Sequence, residues 1–335
     1  MFKAESRLVR LIKDHFDILL MIIALAAGLL IRIPLLSAYA IPQGSGGNLF
    51  HVLGDLLPAF FSMFFIRKTT GDKNRAVAVF VLFLILPSVF VSSVMCGRLE
   101  NLSFAFWLLS FALLEKKDSR KAMIVYALAC AASIYALLLL PFIFMTYGND
   151  KKFNKLYFLI PAVPAVVRGI LDSSYIPAGI INTHLFENCG SFFTFLNGNG
   201  TKSFGRYLPL CFVLLFFMLY LLLRYNEKIF SYGSLRDRLL TALISTEALA
   251  LLVPGADLGS TAFGAMLALC LAVVDIRFIP AAVVLGYLRL IPMTGYLYGA
   301  EYMPFSLQGQ TWLRIAALIA VYIFAYHKRD KKHVL

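Results

Sequence analysis

The residues of this chain that could do chemistry fall into two sets. One set lies in the stretches between long apolar runs: the acids Glu100, Asp172, Glu187, Asp257 and Glu301, with Arg98 two residues ahead of Glu100. A loop carboxylate can serve as a general base or hold a divalent cation through its oxygens. A guanidinium suits two-pronged contact with a phosphate. Arg98 and Glu100 share one turn and are the best-placed acid–cation pair of this set; two solvated loop charges with no task are the plainer reading of the same residues. The other set lies inside the runs. Asp55 follows His51 by four, so both fall on one helical face, Glu247 sits in ALISTEALALL, Arg289 in LGYLRLIP, and Arg32 near the end of the first run. Charges at membrane depth are costly, so they mark either a site or a buried pair. Glu247 and Arg289 are expected to pair across helices, as a site or as structural glue. Arg32 either snorkels to the interface or meets an anionic headgroup. Cys96, Cys130, Cys189, Cys211 and Cys270 show no C-x-x-C or Cys/His spacing and read as small buried hydrophobes. No metal site is legible, and a divalent ion on a carboxylate is the one cofactor the residues leave open.

The elements that must position these groups are membrane helices. Hydrophobic residues make up 60% and charged residues 15% of 335 positions, and the mean hydropathy is +0.80. A soluble chain of that length could not bury so much apolar surface, so the surplus must face lipid. About 20 apolar residues cross the hydrocarbon. The runs cover roughly 18–36, 48–66, 76–94, 101–114, 122–147, 156–171, 208–223, 239–253, 261–274, 278–293 and 310–326. The expectation is an all-α, polytopic bundle of 11–12 transmembrane segments forming one domain over 1–335. Ala38-Tyr39-Ala40 imitates a signal-peptidase site, but the preceding run is long and carries Arg32, so it is read as a retained helix.

Basic residues cluster in alternate loops. Lys3, Arg7, Arg10 and Lys13 precede the first run; Arg67, Lys68, Lys73 and Arg75 follow the second; Lys116, Lys117, Arg120 and Lys121 follow the fourth. Lys151, Lys152, Lys155, then Arg224, Lys228, Arg236 and Arg238, then Arg277, and finally Lys328, Arg329, Lys331 and Lys332 continue the series, leaving Arg98, Lys202 and Arg206 in the opposite loops. The positive-inside rule places both termini (1–17 and 327–335) in the cytoplasm. The net charge of +13 therefore reflects topology, and nucleic acid is not an expected partner. Parity requires that 122–147, basic on both flanks and containing Pro141, be a short helix pair that enters and returns, divided as Ala122–Tyr135 and Ala136–Tyr147. One long tilted helix is the alternative. The stretch 172–207 is a long outer loop, too polar to span; its Phe192, Phe193 and Phe195 suggest an interfacial segment, and Asn199-Gly200-Thr201 matches a glycosylation sequon. Walker, G-x-G-x-x-G, H-E-x-x-H and G-x-S-x-G patterns are missing, which removes ATP-driven, dinucleotide, zinc-protease and serine-hydrolase readings. No internal repeat supports an inverted-repeat transporter.

Three local features, in order along the chain, resemble the multi-pass GT-C glycosyltransferases, nearest to their lipid-linked mannosyltransferase branch. They are the arginine of Leu30-Ile31-Arg32-Ile33-Pro34; the turn Gly97-Arg98-Leu99-Glu100 leading through a helix to a basic loop and a helix pair closing on Leu140-Pro141; and the Asn-aromatic stretch Asn188–Asn197. The resemblance implies transfer of a sugar from a polyprenyl-phosphate donor on the non-cytoplasmic face, with Glu100 as base and Arg32, Arg98 and Asp257 toward the substrate. Its partners would be a lipid-linked sugar, membrane lipids and another membrane protein, in a bacterial plasma membrane. The chain also departs from the family. The first outer loop, Ser37–Gly47, has no acidic residue where the family carries its base. Tyr135 falls where the family has a lysine, and Pro254–Ser260 offers only Asp257. Three readings stay open: an active enzyme using another carboxylate; a transporter or lipid flippase working through Asp55, Glu247 and Arg289; and a degenerate, non-catalytic subunit of a glycan-assembly complex.

Overall fold

A computed structural model describes residues 15–38, 47–96, 98–147, 153–171, 234–252 and 258–330. The run at 208–223, the loop 172–207, Asp257, the termini and the sequon lie outside the described residues, as does the side chain of His51. Among the described residues every regular element is helical. They are α1 (Phe16–Ala38), α2 (Gly47–Thr70), α3 (Lys73–Ile85), α4 (Pro87–Phe90) running into a π-helical turn (Val91–Met95), α5 (Glu100–Glu115) and α6 (Ser119–Ala132). A 3-10 turn (Ile134–Leu139) leads to α7 (Leu140–Tyr147), and α8 (Leu159–Leu171) follows. The series resumes with α9 (Leu235–Ala250), a 3-10 turn (Leu258–Thr261), α10 (Ala262–Val274), α11 (Ile279–Tyr298) and α12 (Leu307–Asp330).

Phe16–Leu35, Ile276–Tyr298 and Leu307–Ala325 are long and apolar enough to cross a bilayer, and Lys73–Ile85 with Pro87–Met95, bent by 55°, makes a fourth if taken as one span. Several other apolar runs prove shorter than the hydrocarbon: α8 and α10 have 13 residues each and α5 has 16, or about 20–24 Å at 1.5 Å per residue against about 30 Å of hydrocarbon. Polar breaks cut them. Pro87 cannot donate a backbone bond and divides α3 from α4, and Ser133, in extended conformation with its hydroxyl accepting the Tyr135 N–H at 3.3 Å, ends α6.

The core is aromatic. Trp107 is fully buried, stacks on Phe104 at 5.6 Å and lies 5.3 Å from Phe111, while Phe142 meets Phe111 edge-on at 5.5 Å. Such ring pairs add to the large apolar area each side chain buries. They also bind α7 back onto α5. The Tyr147 hydroxyl donates to Glu115 at the end of α5, which also holds Arg238. The chain that leaves α5 through α6 thus returns to the same end by Tyr147. The helix pair is present, with its break at Ser133 rather than after Tyr135, and the single tilted helix is ruled out.

Charged side chains gather at that end. Lys73 meets Asp17 at 2.5 Å, Lys121 meets Asp118 at 2.8 Å, and Asp275 receives Arg236 and Arg277, each at 2.7 Å. Burial pushes the Asp275 carboxyl up, but the hydrogen bonds from Arg277 and Arg236 outweigh it and hold the group below the ordinary carboxylate range. The Lys121 hydrogen bond and charge hold Asp118 low, and the same contact raises Lys121. We call this the basic end.

Candidate functional site

Toward the opposite end, four helices contribute one buried polar relay. Arg32 on α1 donates from Nε to Asp55 Oδ2 at 3.0 Å. Its Nη1 donates to the carbonyls of Gly28 at 3.0 Å and Leu84 at 2.9 Å, and its guanidinium lies over the Phe90 ring. The Leu84 carbonyl is free to accept because α3 stops there, one turn short of a continuous helix, leaving its last carbonyls without helical partners. Asn101 on α5 then donates to Asp55 Oδ1 at 2.6 Å and to the Val89 carbonyl at 2.9 Å. Val89 borders the π-helical turn, whose widened register releases carbonyls from the helical ladder. The relay closes on α11, where Arg289 Nη2 donates to Asn101 Oδ1 at 2.7 Å. Arg32, Asp55, Asn101 and Arg289 are all wholly buried.

Glu100, the first residue of α5 and only 4% exposed, lies beside this relay. Its carboxylate and that of Asp55 are the acidic charges acting on Arg289. Gly259 makes the room: a Cβ there would lie 2.4 Å from the Tyr135 ring and 2.7 Å from Glu100 Oε1. Among the described residues Arg289 Nε and Nη1 have no hydrogen-bond partner, although both are buried. The cluster therefore joins two carboxylates, two guanidiniums and an amide, with two N–H groups uncommitted. A buried polar group without a partner is costly, and such exceptions call for a reason such as strain, a catalytic role or a bound water or ion.

Comparison with protein-family models, with characterised proteins and with solved structures returns no significant match for this chain. The site is therefore read from its own residues.

Some expectations change. Arg32 neither snorkels nor faces a headgroup: its guanidinium is held by Asp55 and two carbonyls and sealed from the surface. Glu247 and Arg289 do not pair. Glu247 Oε2 accepts from Arg314 Nε at 2.6 Å, with both side chains 2% exposed, and Arg314 Nη2 reaches the Ser260 carbonyl at 3.0 Å. The reason is steric access: Gly264 on α10 opens a notch for Glu247, since a Cβ there would lie 1.5 Å from Oε1. Asp55 does enter the site, brought to Arg289 through Asn101. Glu100 is at the site and Arg98 at its half-buried edge, while Glu301 is exposed and apart from the relay beside Gly299. Asn101, Arg314, Gly259 and Gly264 were not singled out from sequence. Asn101 follows Glu100 directly, and a polar amide in the apolar helix ENLSFAFWLL was the available signal. Among the described residues no three metal-ligating side chains converge. Within the relay, Asp55 has the Arg32 guanidinium beside it.

Proposed function

We propose that this chain is a GT-C-like membrane glycosyltransferase with 11–12 crossings and cytoplasmic termini. It transfers a sugar from a polyprenyl-phosphate donor on the non-cytoplasmic face. Glu100 is the base, and Arg289, helped by Arg98 at the edge, takes the donor phosphate. The observation that carries this reading is the juxtaposition of a buried carboxylate with a buried guanidinium that keeps two N–H groups uncommitted. The acceptor hydroxyl attacks the anomeric carbon while Glu100 accepts its proton. The bond from that carbon to the phosphate oxygen breaks, and the lipid phosphate leaves with the electron pair. Arginine stabilises the charge that grows on the leaving oxygen, which is where preorganised donors act most strongly. Arg32 becomes a positioning residue, fixing Asp55, which fixes Asn101, which orients Arg289.

Reconstituting the protein in liposomes with polyprenyl-phosphate-linked hexoses tests the reading. Sugar transfer to an acceptor glycan supports it, and inactivity across mannosyl, glucosyl and related donors contradicts it. Lipid transport is the runner-up, favoured by a lateral trough that Arg289 borders. It requires lipid movement without any transferred sugar.

A further inference from the structure

A cavity of about 950 Å³ lies on the side of the bundle, with α3 and α11 as its walls and α10 as its floor. Ala78 and Leu82 come from one wall, Val283 and Gly286 from the other, and Leu269 and Ala272 from the floor. Along α10 it runs from Ala265 to Asp275, about 15 Å at helical rise, which is half of a hydrocarbon layer of about 30 Å. The trough is thus one leaflet deep.

Guanidiniums outnumber carboxylates in the lining of its mouth. Arg75, Arg236 and Arg277 line it there, with Asp275 as the acidic residue of the lining. Asp275 is shared by Arg236 and Arg277. Asp72 and Asp237 hold Arg75 and Arg236 without lining the trough. Arg236 Nη2 is buried and has no hydrogen-bond partner among the described residues. Gly286 adds a second sign. Glycine weakens a helix, and in membrane helices it is usually kept where another helix comes close. Among the described residues no atom lies within 4 Å of where its side chain would begin. The space it leaves belongs to the trough.

We propose that the trough binds one anionic phospholipid from the leaflet at the basic end. Its phosphate sits against Arg236, between Arg75 and Arg277, and an acyl chain lies along α10. An apolar channel of one-leaflet depth under a cluster of guanidiniums has the shape and charge of that molecule; the guanidiniums make charge-assisted contacts to its phosphate and disfavour the ammonium that zwitterionic headgroups add. Arg289 lines the other end of the same trough, while the phosphate site at the basic end does not depend on the proposed reaction.

The test is thermal melting of the purified, delipidated protein in dodecyl maltoside with added phosphatidylglycerol or phosphatidylcholine, together with native mass spectrometry of the same samples. Phosphatidylglycerol should raise the melting temperature by a few degrees and appear as a bound adduct; phosphatidylcholine should do neither. A Cβ at Gly286 meets nothing within 4 Å among the described residues, so Gly286→Leu should project into the trough, keep the lipid-free melting temperature and lose the phosphatidylglycerol response. Arg236→Gln should weaken the response. Equal responses to the two lipids, or a full phosphatidylglycerol response in Gly286→Leu, would overturn the proposal.

Discussion

Gly264 carries no side chain because none would fit, with Glu247 occupying the place of its Cβ. That notch decides which arginine Glu247 meets, and Arg314 reaches it from α12. Breaking a buried pair leaves one charge uncompensated, so Glu247→Leu or Arg314→Leu alone should each cost about 3–5 kcal/mol, whereas the double variant should cost well under the sum. Additive losses in denaturation of the detergent-solubilised variants would show that the two do not interact. The same logic applies to Asn101, which serves Asp55 and Arg289 at once. Asn101→Leu keeps the size but strips both of a partner, and about 1–3 kcal/mol of stability should go for each group left unsatisfied. The sequence marked Asp55, Glu247, Arg289 and Arg32 as costly, since charge at membrane depth is visible in any apolar run. It did not reveal their partners. Arg32 and Asp55 are 23 positions apart, Asp55 and Asn101 are 46 apart, and Asn101 and Arg289 are 188 apart. Such pairings depend on which helices neighbour one another and on where a glycine opens space.

At the scale of elements, charge patterning was the most informative signal. Basic flanks on both sides of 122–147 required a return, and the aromatic contacts of Phe142 with the Tyr147–Glu115 bond provide it. Cysteines introduced at Lys117 and Lys152 should react with a membrane-impermeant thiol reagent from the same side of sealed vesicles. Labelling from opposite sides would contradict the return. What the sequence concealed was the exact break, because Ser133 in ALACAASIYALLLL looks like any small residue until its hydroxyl caps the following turn. At the basic end, Asp275 joins α9 to the α10–α11 corner through Arg236 and Arg277. Its folded-state pKa lies below the ordinary value near 3.8. The contribution is therefore present above that value and lost as the pH falls through the lower folded one. Asp275→Asn should melt earlier than the parent at pH 6, and the gap should close on acidification below about pH 4. A gap that stays constant with pH would mean that the ion pairs contribute nothing.

Over the whole molecule, the all-helical, apolar character was evident from composition. The number of long helices was not, because apolar runs cut by Pro87 or Ser133 read as continuous spans when only hydropathy is followed. Among the described residues three helices, or four with the bent pair, meet the length and apolarity of a crossing. The polar relay is carried by two of these, α1 with Arg32 and α11 with Arg289, together with α2 and α5. This architecture puts a carboxylate and a partly uncommitted guanidinium together, away from the basic end. The most direct test of their proposed roles separates binding from turnover in proteoliposomes supplied with a polyprenyl-phosphate sugar. Glu100→Gln retains shape and should lower kcat by about 10²–10⁴-fold while donor affinity stays near that of the parent. Arg289→Gln and Arg98→Ala should instead weaken donor binding. Full turnover in Glu100→Gln, with a parent protein that transfers sugar, would contradict the assignment of Glu100 as the base.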